Sequence, residues 1–434
     1  MHAARMAHRP VRVVREPRRR SQRGFTLIEL LVATAAGMFV VLAAFMLSRG
    51  ATRIFASEGR VANSQLSLRL GVERLRQDIE RAAFMTSPNV KIDPDVCPDP
   101  NTLGYVTRLQ SIRWEQGTAA TSAATTPASA DNLLNPDRLM LTGNFSTTDS
   151  YLAATIEPSS SGAGWDVVLQ SGFASTARLL SGGDGGTSTA AEALATVFPA
   201  GRMIRVRNDL GSSQYLIVQS SAIGAGGRVI ITIGAMPSYT VVDGASVVKR
   251  CGARGLCLGC EVNPVQFVRY EVRSLATSAA FKWAYPSSAT VGDREKYDLV
   301  RTELQPDGVT PILNSEEIVS EFAVDLGFAF AVDTSPSMVG GSAWLEPTLQ
   351  SLPFGHADNA RYAGDVLTDP TVRPQRIRAV RYRLSTRTRF PEFPSNVDDA
   401  GPGLARYKLG TTGYARVRNV MGEVALPNQQ GIRW

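Results

Sequence analysis

Residues 23–32 read Arg23-Gly24-Phe25-Thr26-Leu27-Ile28-Glu29-Leu30-Leu31-Val32, and a run of apolar or small residues follows them. Residues 25–47 carry a single charge, Glu29, five residues after Gly24. A helix of this length spans roughly 35 Å, enough to cross a bilayer with some tilt. A carboxylate inside such a span is costly in lipid and needs a partner. Cleavage between Gly24 and Phe25 would supply one, because it creates an α-amine close to Glu29.

These residues resemble the class III signal of type IV prepilins, in which a basic leader ends in glycine before Phe-Thr-Leu-Ile-Glu and an apolar helix. The resemblance implies cleavage after Gly24 by prepilin peptidase, N-methylation of Phe25, and assembly into a pilus or pseudopilus through the helix. It also implies that Glu29 pairs with the N-terminal amine of a neighbouring subunit. The alternative interpretation is an ordinary uncleaved signal anchor.

The net charge of +7 belongs to the leader rather than to the folded protein. Residues 1–24 hold eight arginines and one glutamate, which leaves the rest of the chain with equal numbers of basic and acidic side chains. We therefore expect no nucleic-acid partner. The arginines keep the leader cytoplasmic by the positive-inside rule. The chain is predicted to cross the inner membrane once, with residues 25–48 in the membrane or filament core and the C-terminal part in the periplasm.

A second half of the helix is predicted over residues 49–86. Apolar residues recur at helical spacing and form one stripe, whereas the charged residues 73, 74, 76, 78 and 80 fall largely elsewhere. The stripe consists of Leu68, Val72, Leu75, Ile79 and Ala82. Gly71 weakens the helix locally, and Ser87-Pro88 is expected to end it. We expect this half to pack on the protein's own head.

Residues 87–434 are predicted to form a mainly β head, so the fold class is α+β and pilin-like: a long N-terminal helix packed on a β-rich globular part. A small, polar segment around residues 115–131 is expected to be a flexible insertion. A short helix is predicted near Ala190–Ala195. The predicted strands are Arg138–Thr142, Trp165–Gln170, Arg202–Arg207, Gln214–Gln219, Arg228–Ile233, Val247–Lys249, Val265–Val272, Asp298–Leu304, Ile318–Phe330, Arg376–Leu384 and Tyr414–Arg418.

The order of strand-like runs in the second half is similar to that of PilW-like minor pilins, and in part to GspJ-type pseudopilins of type II secretion. The runs are VQFVRYEV at 265–272, DLVRTEL at 298–304, residues 322–333, IRAVRYRLSTRTR at 377–389, and Arg416-Val417-Arg418-Asn419. The resemblance is weakest over residues 115–235.

Four cysteines, Cys97, Cys251, Cys257 and Cys260, lie on the side predicted to be outside the cytoplasm, where disulfides persist. Cys257 and Cys260 also form a Cys-x-x-Cys pair, so a zinc site is an alternative, but no second pair at matching spacing and no nearby histidine completes it. We predict two disulfides, with one bridge between the Cys97 loop and the 251–260 loop. The sequence does not choose among the three connectivities.

No catalytic residue and no cofactor is predicted. Outside the leader the sequence has one histidine, His356, and contains no nucleophile elbow, phosphate loop or dinucleotide fingerprint. One motif points to a metal instead. Asp333-x-Ser335-x-Ser337 follows an apolar run and resembles the metal-ion adhesion motif of von Willebrand A-type domains, whose oxygen ligands suit Mg²⁺ or Ca²⁺. A polar turn after a buried strand is the alternative.

The sequence thus favours a non-enzymatic minor pilin that helps to initiate, assemble or cap a type IV pilus. Its expected partners are other major and minor pilins, prepilin peptidase, the inner membrane and the pilus assembly platform. A GspJ-like pseudopilin of a type II secretion system is the second hypothesis. The third is an adhesin-like, cation-dependent binding module that uses Asp333, Ser335 and Ser337.

Overall fold

The first element of the protein is helix α1, Leu27–Glu80. The computed structural model describes residues 25–97, 106–117, 132, 134–160, 162, 164–182, 189–234, 259–285, 293, 296–336, 347–392, 406–409, 413–432 and 434. The leader, most of the predicted insertion around 115–131 and the predicted strand Val247–Lys249 lie outside these residues. The chain divides into two compact units between Gly59 and Arg60. Each unit is described by itself.

The part of α1 before Gly59 exposes its apolar side chains. Phe39 and Leu47 are about three-quarters exposed, and the most apolar stretch of the helix has none of its residues buried. By length and composition this helix is able to cross a membrane. An apolar surface of this size is unfavourable in water, so it suits lipid or the helices of other subunits.

From Arg60 onward α1 is part of the head. The predicted stripe is buried: Leu68, Leu75, Ile79 and Ala82 are in the main core, and Val72 packs against it. α1 ends at Glu80 rather than at residue 86, because Ala83 and Met85 adopt positive φ angles and the Ala83 N–H donates to the Thr142 carbonyl at 2.9 Å. A bond to the sheet therefore replaces the last predicted helical turn.

Two antiparallel sheets enclose the main core together with α1. The first has the order β1–β2–β8–β9–β10, in which only the C-terminal half of β8 takes part. The second has the order β12–β11–β13–β15–β14. The strands of the first sheet are β1 Ile112–Glu115, β2 Arg138–Gly143, β8 Glu261–Arg273, β9 Asp298–Leu304 and β10 Glu317–Ser320. Those of the second are β11 Ala323–Asp333, β12 Leu349–Ser351, β13 Ile377–Arg387, β14 Arg406–Leu409 and β15 Gly413–Ala425, with helix α4, Asn359–Ala363, between β12 and β13.

A six-stranded antiparallel barrel is inserted between β2 and the end of β8. Its pairs run β3–β4, β4–β7, β7–β6, β6–β5, β5–β8 and β8–β3, which closes the ring. Closure removes the exposed strand edges. Two short helices contribute Leu179, Leu194 and Val197 to the barrel core. The elements are β3 Tyr151–Pro158, β4 Trp165–Leu169, α2 Ala174–Leu180, α3 Ala190–Val197, β5 Met203–Arg207, β6 Ser213–Ile223, β7 Val229–Ile233 and the first half of β8.

Strand β8 is shared by the barrel and the first sheet. On one side it pairs with β3 through residues 261–262 and with β2 through residues 266–270. Within the part of the chain that the structure describes, residues 263–265 have no strand partner on that side. Pro264, which has no N–H to donate, lies in this gap. Proline is unusual inside a central strand. It is tolerated here because β8 changes its strand partner at this point.

The fold class predicted from the sequence, α+β with a long apolar N-terminal helix and a mainly β head, is confirmed. Nearly all the predicted strands within the described residues are present, and α3 starts at the predicted Ala190. The single predicted run Ile318–Phe330 is wrong as one strand. It is divided into β10 and β11 at Glu321 and Phe322, because Phe322 has a φ of +55° and the Glu321 N–H bonds to Ser67 of α1.

Candidate processing and assembly site

The N-terminus of α1 is built around Thr26 and Glu29. The Glu29 N–H donates to Thr26 Oγ1 at 3.3 Å, and the Thr26 N–H donates to Glu29 Oε2 at 3.0 Å. This reciprocal pair is a capping box, which satisfies two of the backbone N–H groups left unpaired at a helix start. The pattern Thr26-x-x-Glu29 signals it in the sequence, although the resemblance to prepilins drew attention to Glu29 alone.

The predicted cleavage site lies just before this cap. Phe25 and Thr26 precede the helix, and the Phe25 side chain is 88 % exposed. Gly24 lies outside the described residues. Phe25, whose N-terminal peptide bond the peptidase would cut, is thus in non-helical backbone. Cleavage at this bond therefore requires no unwinding of α1.

Glu29 is exposed among apolar side chains. Its neighbours Leu27, Ile28 and Leu30 are each more than half exposed. Glu29 Oε2 accepts hydrogen bonds from the N–H and the hydroxyl of Thr26, which bring no positive charge. After cleavage the Phe25 amine would be the nearest cation along the chain. The arrangement is thus a preoriented carboxylate without a counter-charge of its own in the apolar span.

The Asp333 motif is arranged differently from a cation site. Asp333 is at the end of β11, where its Oδ1 accepts hydrogen bonds from the Ser335 N–H and hydroxyl, and its Oδ2 accepts from Arg378 Nη2 at 2.9 Å. Burial alone would raise the pKa of Asp333, but the bonds from Ser335 and Arg378 hold it below its ordinary value. Ser337 lies outside the described residues. A cation at Asp333 would have to displace Arg378.

Arg378 has a structural role that accounts for its carboxylate partner. Its guanidinium also donates to the carbonyl oxygens of Gln375, Gln429 and Ile432 at 2.7 to 2.9 Å. It thereby fastens the C-terminal segment to β13, and Asp333 neutralises its charge. Among the residues that the structure describes, the geometry at Asp333 favours the polar-turn interpretation.

Two of the four cysteines are described. Cys97 is buried and disulfide-bonded, and Cys260 is fully buried in the barrel core, whereas Cys251 and Cys257 lie outside the described residues. The Cys97 N–H donates to the carbonyl of Ser213 on β6, two strands away from the start of β8. Two strand spacings are about 10 Å, so the Ser213 carbonyl that Cys97 contacts is about that far from Glu261 at the start of β8. The predicted connectivity stays a prediction.

Comparison with known proteins supports the reading of the N-terminus. The family model of the prokaryotic N-terminal methylation motif matches residues 19–45. No curated protein and no solved structure matches the chain. The matched segment covers the end of the leader, the predicted cleavage site, Glu29 and most of the apolar span. This motif indicates a pilin-like or pseudopilin-like protein that prepilin peptidase processes and that is anchored in the membrane by its N-terminal helix.

Proposed function

We propose that this chain is a minor pilin that takes part in initiating, assembling or capping a type IV pilus. The observation that supports the proposal is the N-terminal methylation motif at the start of α1. The second half of the same helix contributes apolar residues to the core of the β-rich head. Such a helix presents one end for assembly while the other end carries a folded domain. The role is non-enzymatic, with a periplasmic head before assembly and a surface position in the pilus afterwards.

The proposed assembly step is an electrostatic pairing within an apolar environment. Cleavage of the Gly24–Phe25 bond releases the Phe25 amine, and Glu29 of one subunit pairs with the amine of the next pilin in the filament. In hydrocarbon the attraction between these groups is much stronger than in water, and either charge alone is costly. The pair therefore fixes the axial register of two helices that are otherwise uniformly apolar.

Mass spectrometry of the N-terminal peptide tests this proposal. We expect a peptide that begins at Phe25 and is heavier by one methyl group, both in inner membranes and in sheared surface filaments. A Gly24→Leu variant is the control, because a bulky residue before the cleaved bond blocks the peptidase and the leader should remain. An intact leader in the wild type would overturn the proposal.

The same experiment separates the pilus from a secretion apparatus. A GspJ-like pseudopilin of a type II secretion system would give the same processed peptide in membranes. It would be missing from sheared filaments, and deletion of the gene would abolish the export of secreted proteins rather than the pili. Loss of pili with intact secretion supports the minor pilin.

A further inference from the structure

A cavity of about 330 Å³ lies at the end of the barrel, between the β2–β3 loop and helices α2 and α3. This volume is at the lower end of the range for small-molecule sites. Neither the N-terminal motif nor the proposed assembly mechanism uses it. Its wall is made of two chemically different halves.

One half is polar and carries a preformed ion pair. Arg178 of α2 donates two hydrogen bonds to Asp149, from Nε to Oδ2 at 3.1 Å and from Nη2 to Oδ1 at 2.5 Å. Thr147 and Thr196 add hydroxyl groups to the lining. Burial raises the pKa of the Tyr151 phenol to about 12, so this group keeps its proton and can donate a hydrogen bond.

The other half is apolar. Leu179, Ala193 and Val197 line the cavity from α2 and α3. Leu179 and Val197 also belong to the barrel core, which holds this wall in a fixed position. A ligand that fills the cavity therefore meets carbon on one side and a row of donors and acceptors on the other.

The charges of the lining cancel. Asp149 and Arg178 neutralise each other and offer no net charge to an anion or a cation. Yet the carboxylate retains lone pairs that accept from hydroxyl groups, and the guanidinium has further donors. An uncharged ligand with many hydroxyl groups and one apolar face matches this wall.

We propose that this cavity binds a neutral saccharide, of one or two rings. The C–H face of a sugar ring packs on Leu179, Ala193 and Val197, and its hydroxyl groups bond to Asp149 and Arg178. Recognition of this kind is a binding activity additional to pilus assembly, and it does not depend on it.

The cavity is connected to the C-terminal end of α1 by a short path along the chain. α1 ends at Glu80, and the next residue, Arg81, donates to the Phe145 carbonyl at 3.0 Å. Ser146, which follows Phe145, lines the cavity.

Saturation-transfer NMR on the full chain tests the proposal. The protein is held in a zwitterionic detergent, since alkyl glycosides would themselves present a sugar. The probes are glucose, galactose, mannose, N-acetylglucosamine and the disaccharides maltose and lactose. We expect at least one to bind, and Asp149→Asn to weaken its binding at least tenfold. The matched control is Glu261→Gln, a partly exposed carboxylate on the same barrel that does not line the cavity and is paired with Arg205 and Arg207.

A second variant tests the site by shape alone. Ala193→Phe fills the cavity and should abolish binding, whereas Ala195→Phe, on the exposed side of the same helix, should leave it unchanged. Thermal unfolding of each variant shows that the barrel is intact. No binding by any sugar, or binding that neither cavity variant weakens, overturns the proposal. Glucuronate and glucosamine serve as charged probes, and binding of either one with none of the neutral sugars also overturns the proposal.

Discussion

At the scale of single residues, Glu29 has two separable roles. Its side chain caps α1 by accepting the Thr26 N–H, and its charge is available to a neighbouring amine. The same capping box starts α3, where Thr189 and Glu192 make the equivalent bonds in a helix with no part in assembly. The cap alone is therefore an ordinary local device, and the charge in an apolar span is what marks Glu29 as functional.

Glutamine at position 29 separates these roles. Glu29→Gln keeps an oxygen that accepts the Thr26 N–H, whereas Glu29→Ala removes both the cap, worth about 1 kcal/mol, and the charge. We expect both variants to be cleaved normally and both to be strongly depleted from sheared filaments. Immunoblots of membranes and filaments measure this. Normal incorporation of Glu29→Gln would contradict the charge-pairing mechanism and leave only the cap.

Gly71 is a position in α1 where the lack of a side chain allows close packing. A Cβ added there would lie 2.7 Å from the Cβ of Ser320, so glycine allows α1 to approach the end of β10. Glycine lowers the helix propensity of α1, which the sequence shows. It also permits close packing of α1 against β10, which the sequence does not show.

We expect Gly71→Ala to lower the free energy of unfolding of the head by about 1–3 kcal/mol through overpacking. Gly59→Ala is the control, because nothing lies within 4 Å of a Cβ at that position and alanine is the better helix former. Denaturant unfolding followed by circular dichroism compares them. Equal stability of the two variants would show that the contact at Ser320 relaxes at no cost.

At the scale of elements, the docking of α1 combines a predicted and an unpredicted part. The apolar stripe from Leu68 to Ala82 followed from helical spacing alone. Asp78 was placed away from this stripe. It is nevertheless 2 % exposed, and its Oδ2 accepts from Arg301 Nε at 2.6 Å and the Tyr270 hydroxyl at 2.7 Å. Spacing could not reveal this, because the partners are about 200 residues away in β8 and β9.

Removal of the Asp78 carboxylate leaves Arg301 buried in the first sheet without its closest counter-charge. We expect Asp78→Ala to destabilise the head by about 3–5 kcal/mol. Glu80→Ala, two residues along the same helix, removes an exposed pair with Arg76 and should cost no more than about 1 kcal/mol. Urea unfolding of both variants measures the difference, and similar losses would contradict the role of Asp78 in docking.

The link between β11 and β13 is expected to be sensitive to acid. Because the folded protein holds the pKa of Asp333 below its unfolded value of 3.8, the carboxylate stabilises the head fully above that value. This contribution is lost as the pH falls through the folded pKa. Below about pH 4 the wild type should therefore lose stability more steeply than Asp333→Asn, measured by urea unfolding. The exposed Glu157→Gln is the control, and parallel curves for wild type and Asp333→Asn would contradict this account.

At the scale of the whole molecule, the head is more complex than its strand pattern indicated. Alternation of apolar and polar residues identifies a strand and its faces but not its neighbours. Residues 115–235, where the resemblance to minor pilins was weakest, contain β3 to β7 of the barrel, and β3 was not among the predicted strands. Its closure depends on β8, which the sequence indicated only as the strand Val265–Val272, so neither the barrel nor the cavity at its end was predictable.

Because β8 runs through both the barrel and the first sheet, the two should unfold together. A buried ion pair adds to this coupling: Arg202, just before β5, contacts Glu303 on β9 at 2.7 Å and also donates to the Val197 carbonyl at the end of α3. We expect single-tryptophan variants that retain either Trp114 in β1 or Trp165 in β4 to report the same denaturation midpoint, as two-state unfolding requires.

Replacing the ion pair tests how far this coupling depends on the side chains. Arg202→Met leaves Glu303 buried without its partner and should lower both midpoints equally while β8 still joins the two parts. If Trp165 instead unfolded at a lower denaturant concentration than Trp114, the barrel would be a separate folding unit held in place by Arg202. Coincident, lowered midpoints would mean that a continuous β8 is enough to make the barrel an integral part of the head.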